Sequence, residues 1–427
     1  MFRRHTRYPF ASSYRQRFED VPSFERWGDY MESVLALWAW LLSVMPVTDE
    51  IAKKTIGTAI ATGLASIAGW ISWKLWKACV RFVRWLLGDR DANARLQRAR
   101  NAVGSGKGLW LTQPIEQPSE YALRMASSIP IITLANLKGG VGKSTITANV
   151  AAICALRGES VLVIDLDFQG SLSSMVLGES AQTQRPGNDE LSKSSEALIG
   201  DKTPSWLIQN AWAYQGSAGS KVPQTDAGGA LKFYALTGFY DLARVENRLL
   251  VQWLIKDQPL DMPYALAKLL LSDEVRRKYD RIFIDAPPRL STACIQALCA
   301  STHVLMPTVM DRLSAEAIVT FAEELEVQRK AGLCPKLKYL GVVGSMMPPV
   351  AGFPKATEIF LTDQLEQKRI PIKLLPQQCW IREAVALSNN AGQRIAVLDG
   401  DTADRNKARE LFSPLADFIR QEAPVPK

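Results

Sequence analysis

The stretch Ile131–Thr145, reading IITLANLKGGVGKST, limits what this chain can fold into more than any other. Residues of strand character, Ile131 to Ala135, run into a turn with adjacent glycines and then into a helical pattern, Ile146 to Leu156. Gly139, Gly140 and Gly142 let the backbone curl so that several N–H groups point inward, and the helix after Lys143 adds the positive end of its dipole. Anionic phosphate is the natural guest of such a loop. The plainer reading is a glycine turn between a buried strand and a helix.

At this spacing Lys143 would reach the β- and γ-phosphates as a point charge, and the Ser144 hydroxyl would complete a Mg²⁺ shell. Val141 and Thr145 fill out the cradle. The general pattern G-x-x-x-x-G-K-[ST] is not met in full, because Leu137 occupies its first glycine position. The form present is K-G-G-x-x-K-[ST], with a second lysine at Lys138. On these residues the chain resembles the ParA/MinD family of dimerising ATPases. The resemblance implies ATP and Mg²⁺ as ligands and a homodimer formed on ATP. It also implies that Lys138 crosses to the partner's nucleotide, and that hydrolysis stays slow until a stimulating protein binds.

The next strand, Val161 to Asp167 (VLVIDLD), ends in two carboxylates followed by Phe168, Gln169 and Gly170. Ligands gather at strand carboxyl ends in parallel sheets, which puts Asp165 and Asp167 beside the loop. The stretch resembles the family's first switch, D-x-D-P-Q-G, with Phe168 in place of proline, a change in loop stiffness more than in chemistry. That match implies that Asp167 orients the attacking water while Asp165 supports metal and loop; acids that merely cap the next helix are the alternative. A third strand, RIFIDA (281–286), ends in Asp285 before Pro287 and Pro288, where an acid can hold a Mg²⁺-bound water. It resembles the second switch, D-x-P-P.

Further strands are read at His303–Thr308, with Asp311 a few residues on, and at LKYLGVVGSM (337–346). The latter departs from the family, where Asn or Thr often follows, so the base-reading residue is left open. His303 and His5 are read as structural. Residues 372–397 match the family's late strand and base-side loop, with Pro376 on the nucleotide side and Arg382, Glu383 and Ala384 in a shortened R-x-x-E-A zone. The resemblance runs from about Pro130 to Arg420.

Strands alternating with helical patterns from Ile131 onward predict an α/β fold with a doubly wound, mostly parallel sheet over 129–427. Residues 178–230 are poor in periodicity and read as an insertion, either a functional lid or a disordered loop. The six cysteines show no metal-type pairing and read as core residues in a reducing compartment.

The region before the loop is read in three parts. Residues 1–32 are polar and arginine-rich at their start. Within 33–73, Val34–Val47 and Ile56–Trp73 carry no charge, and the second run of 18 residues would make a helix of roughly 27 Å. Its small residues suit close packing on the first run, predicting an all-α, transmembrane hairpin with both ends cytosolic. Residues 74–128 comprise a basic amphipathic helix and a proline-containing linker in which helix is not expected beyond Lys107. From Lys74 to Lys107 nine bases face two acids, nearly the whole of the chain's net charge of +8. Such a block binds anionic lipid or nucleic-acid phosphates. A soluble helical core over 34–87 is the alternative to the hairpin.

The reading is a membrane-tethered ATPase switch at the cytoplasmic face of the cell membrane, serving positioning, partition or signalling. Alternatives are a soluble cytoplasmic partition ATPase that holds DNA through 74–107, and an ATPase sensor in a defence or regulatory complex. A bacterial tyrosine kinase fits less well, since no terminal tyrosine cluster is present.

Overall fold

The computed structural model describes residues 108–426 except 113, 188–189, 217–222, 256–260, 348–354 and 383–393, together with 73–74, 76–79, 94 and 97. The chain divides into two units, Met1–Leu87 and Gly88–Lys427. In the first, residues 73–74 and 76–79 are helical, with Trp73 and Trp76 exposed and the Lys77 ammonium 3.6 Å from the centre of the Trp73 ring. The hairpin expected over 33–73 otherwise lies outside the described residues, as does most of the basic block. No helix among the described residues is long and apolar enough to cross a membrane.

The second unit is built on a seven-stranded sheet. Its strands are β1 (Ile131–Leu134), β2 (Val161–Asp165), β3 (Trp212–Ala213), β4 (Phe233–Leu236), β5 (Arg281–Asp285), β6 (His303–Val309) and β7 (Lys338–Ser345), in spatial order β3-β4-β2-β5-β1-β6-β7. All neighbours pair parallel except β3, which runs antiparallel to β4 at the edge. Strands buried on both faces read as continuous apolar runs, and the period of two sorts them. Ile131, Leu162, Ile164, Ile282 and Ile284 join one core, whereas Ile132, Val161, Val163 and Phe283 join the other.

Helices cover both faces: α1 (Tyr121–Ala126), α2 (Lys143–Leu156), α3 (Ser171–Leu177), α4 (Lys193–Ile199), α5 (Pro204–Asn210), α6 (Asp241–Ile255), α7 (Ala265–Leu270), α8 (Asp273–Lys278), α9 (Thr292–Ala300), α10 (Arg312–Lys330), α11 (Lys355–Gln367) and α12 (Thr402–Glu422). The core containing Ile132 packs against α2 and α12 through Ala151, Leu156, Phe412, Leu415 and Ile419. At the amino-terminal edge, buried Arg281 donates to Glu159 (2.7 Å) and to the Ala423 carbonyl (2.8 Å), and Arg420 donates to the same glutamate (2.6 Å). A buried pair of this kind orients α12 more than it stabilises the fold.

Two sequence readings are corrected. The stretch 178–230 contains α4, α5 and β3, because Ser192 and Thr203 accept N-cap hydrogen bonds from Ser195 and Trp206 and Pro204 opens α5. Leu198 and Leu207 then anchor both helices in the core. The linker is likewise part of the folded unit: α1 forms within it, and Trp110, Tyr121, Met125 and Ile129 are buried. Five of the six cysteines are buried; Cys79 is exposed.

Candidate phosphate-binding site

The loop between β1 and α2 is shaped by backbone that only glycine adopts without strain. Gly140 has φ 73° and Gly142, the N-cap of α2, has φ 80°. Two side chains pin it to the sheet. Asn136 donates to the Pro307 carbonyl at the end of β6 (2.7 Å) while its Oδ1 accepts from the Lys138 N–H (2.9 Å). Ser345, at the end of β7, donates to the Val141 carbonyl (2.8 Å). Neither anchor is singled out by the sequence pattern. A Cβ at Gly139 or Gly140 would meet nothing within 4 Å, so the loop's outer side is open to an approaching group.

Lys143 is buried, and its ammonium donates across the loop to the Lys138 carbonyl (3.3 Å). Burial pulls its pKa down, opposed by the charges of Asp285 and Asp167. Ser144 and Thr145 occupy the following turn of α2, with Ser144 beside Asp285. Lys138 takes a different course: its ammonium donates to Ser314 Oγ (2.5 Å) and Asp311 Oδ2 (3.3 Å) at the start of α10. Asp311 is also that helix's N-cap, accepting from the Ser314 N–H (2.8 Å). The D-x-x-S spacing is a readable cap, but nothing in the sequence ties it to Lys138.

The strand tips bring the acids together. Register aligns Leu134 and Asp165 with Asp285 on either side of β5. Asp165 is fully engaged: Oδ1 accepts from the Asp167 N–H (3.1 Å), and Oδ2 accepts from the Ser173 N–H and hydroxyl (2.7 Å each). It therefore holds the first switch and α3 with protein donors at both oxygens. Asp167 is buried beside Lys143, with Oδ1 accepting from the Gln169 N–H (3.1 Å). Asp285 is buried with neither oxygen in a hydrogen bond of good geometry. Burial raises its pKa to about 7, with Asp167 adding to the rise and Ser144 and Lys143 opposing it. Burial and Asp285 likewise push Asp165 up.

An orphaned buried carboxylate next to a hydroxyl and below an open phosphate cradle suits a hydrated divalent cation. Ser144 and Asp285 are the groups that would hold it, Asp285 through a bound water. No cluster of three or more His, Cys, Asp or Glu side chains forms a metal site among the described residues, so most ligands of such an ion would come from phosphate and water. Pro376 caps the short 3-10 helix Gln377–Cys379 and is exposed beyond β7, on the same edge of the sheet. Glu383 and Ala384 lie outside the described residues. His303 bonds Thr302 through Nδ1 and is held neutral by burial, its pKa lowered to about 4.

Phe168 does more than stiffen its loop. The Arg289 guanidinium lies 5.4 Å from its ring centre and the Tyr240 ring 6.3 Å away, so the two switches touch through Phe168 and Arg289.

A phosphate cradle opening α2, with buried acids from two neighbouring strands at the carboxyl edge of a parallel sheet, defines a P-loop nucleotide-binding protein. A family model described as an AAA domain matches residues 129–338. The chromosome-partitioning ATPase Soj of Thermus thermophilus is 28% identical over 282 residues, covering 66% of this chain and 95% of Soj. An uncharacterized protein of Pseudomonas putida is 30% identical over 220 residues, covering 51% of this chain and 70% of that protein. The solved structure of apo McdA from Cyanothece shares the fold at TM-score 0.50 and 15% identity, covering 68% of this chain and 99% of McdA. The chain belongs to the ParA/MinD family of P-loop ATPases.

Proposed function

We propose that this protein is an ATP-driven switch that pairs two copies of itself on MgATP and separates them on hydrolysis. The observation that carries the reading is one loop bearing two lysines with different engagements: Lys143 turned into the loop, and Lys138 held outside it by Asp311 and Ser314. Lys143 and the loop N–H groups would neutralise the triphosphate. Lys138, on leaving Asp311, would reach the nucleotide of a second copy. Asp167 would orient the attacking water by accepting its hydrogen bond. Bound Mg²⁺ supplies charge neutralisation at the phosphates. Catalysis on this reading is positioning and charge stabilisation.

The working place of the switch is proposed to be the cytoplasmic face of the cell membrane, reached through 33–73 and the basic residues of 74–107. The same basic block supports a second reading, DNA-bound partition. Phosphate release from MgATP by the full chain tests the first step; no release above background, with or without anionic vesicles or duplex DNA, would refute hydrolysis. Flotation with anionic vesicles against salt-dependent binding to duplex DNA separates the two locations, since DNA affinity carried by phosphate contacts falls steeply with salt.

A further inference from the structure

We propose that Trp110 and Glu246 are positioning residues of the second switch loop, 286–291, and that through Trp110 this loop is coupled to the arm segment 108–112. The proposal rests on the nucleotide reading above. The loop leaves Asp285, whose oxygens make no hydrogen bond of good geometry, and is held by two buried residues. The first is Glu246, a buried glutamate of α6. Its carboxylate accepts from Arg289 (2.6 Å), from the Ser291 hydroxyl and from the Ala293 N–H (3.0 Å), and its backbone carbonyl accepts from Thr292 (3.1 Å). The second is the buried indole of Trp110, whose Nε1 donates to the Leu290 carbonyl (3.0 Å). The Trp110 ring also packs on Trp253, one helix with Glu246, at 5.4 Å between ring centres.

Trp110 sits in the arm that brings the chain into the ATPase unit. Beyond it the arm is fastened by Gln117 to the Gly332 carbonyl (2.7 Å), by Tyr121 to the Cys299 carbonyl (2.6 Å) and by Arg276 to the Ser127 carbonyl (3.1 Å). Those fastenings grip helices and their ends; Trp110 alone among them grips a switch loop. A shift of residues 286–291 when Asp285 gains a partner must keep or break the indole bond. Whichever state keeps it is favoured by an ordered arm, and by linkage a pull on the arm must bias the loop to the same extent.

The test uses the full chain and two variants, Trp110→Phe, which keeps an aromatic ring but removes the donor, and Glu246→Gln, which removes the charge facing Arg289. Hydrogen exchange is followed over 108–112 and 286–292, without nucleotide and with MgADP or MgATPγS, beside kcat and KM for ATP. In the wild type both segments are expected to change protection together on adding nucleotide. In Trp110→Phe, exchange over 286–292 should quicken about tenfold, on the order of one hydrogen bond's worth, with kcat altered more than KM. Glu246→Gln should quicken the same segment. Unchanged exchange over 286–292 in both variants would overturn the positioning roles. Protection over 108–112 that ignores a nucleotide altering 286–292 would overturn the coupling. A chain that binds no nucleotide would sink the switch reading and with it the coupling, while the nucleotide-free exchange of the variants would still decide the positioning roles.

Discussion

At the scale of single residues, the site separates charge that is satisfied from charge that waits. Asp165 spends both oxygens on Asp167 and Ser173, whereas Asp285 spends neither. A carboxyl whose folded pKa lies near 7 binds its proton more tightly than in the unfolded chain, where the value is 3.8. Its contribution therefore favours folding at low pH and is lost as pH rises between about 4 and 7. Metal-free protein should lose stability over that window, and Asp285→Asn should remove that part of the slope and raise the melting temperature at pH 7.5; an unchanged slope would contradict the assignment. Lys143→Ala should weaken MgATP binding about 100-fold or more, read by calorimetry. Asp311→Asn keeps the helix cap, so stability should change by less than about 0.5 kcal/mol, yet it removes the charge that restrains Lys138. ATP-dependent pairing should then occur at lower protein concentration, as measured by sedimentation velocity.

At the scale of elements, the parts of the site written in local pattern were legible in the sequence. Gly140 and Gly142, Lys143, and the acids ending β2 and β5 follow from strand, loop and helix in order. What escaped were partners distant in the chain: Asn136 reaching β6, Ser345 reaching Val141, and Asp311 meeting Lys138 across 173 positions. No periodicity encodes such contacts. The helices α4 and α5 escaped for another reason, since their order rests on the N-caps Ser192 and Thr203 within a run whose polarity reads as loop. Close backbone approach was equally hidden. A Cβ at Gly238 would lie 2.2 Å from the Asp165 carbonyl oxygen, so this glycine lets the chain after β4 pass against the tip of β2. Gly238→Ala should cost about 1–3 kcal/mol in thermal or denaturant unfolding and should loosen the first switch; a variant as stable as wild type would refute that close approach.

For the whole molecule, the sheet order gathers β1, β2 and β5 so that one edge carries the cradle and the acids Asp165, Asp167 and Asp285, while α12 packs against α2. Among the described residues Lys138 is held at α10 by Asp311 and Ser314, away from the loop's interior. The proposed pairing depends on what Lys138 does when ATP arrives. Sedimentation velocity of wild type and Lys138→Ala with MgATPγS, with nucleotide occupancy measured on the same samples, tests this most directly. Wild type should form nucleotide-bound dimers and the variant nucleotide-bound monomers. Dimers that persist in Lys138→Ala, or a wild type that stays monomeric when saturated with nucleotide, would contradict the proposed pairing.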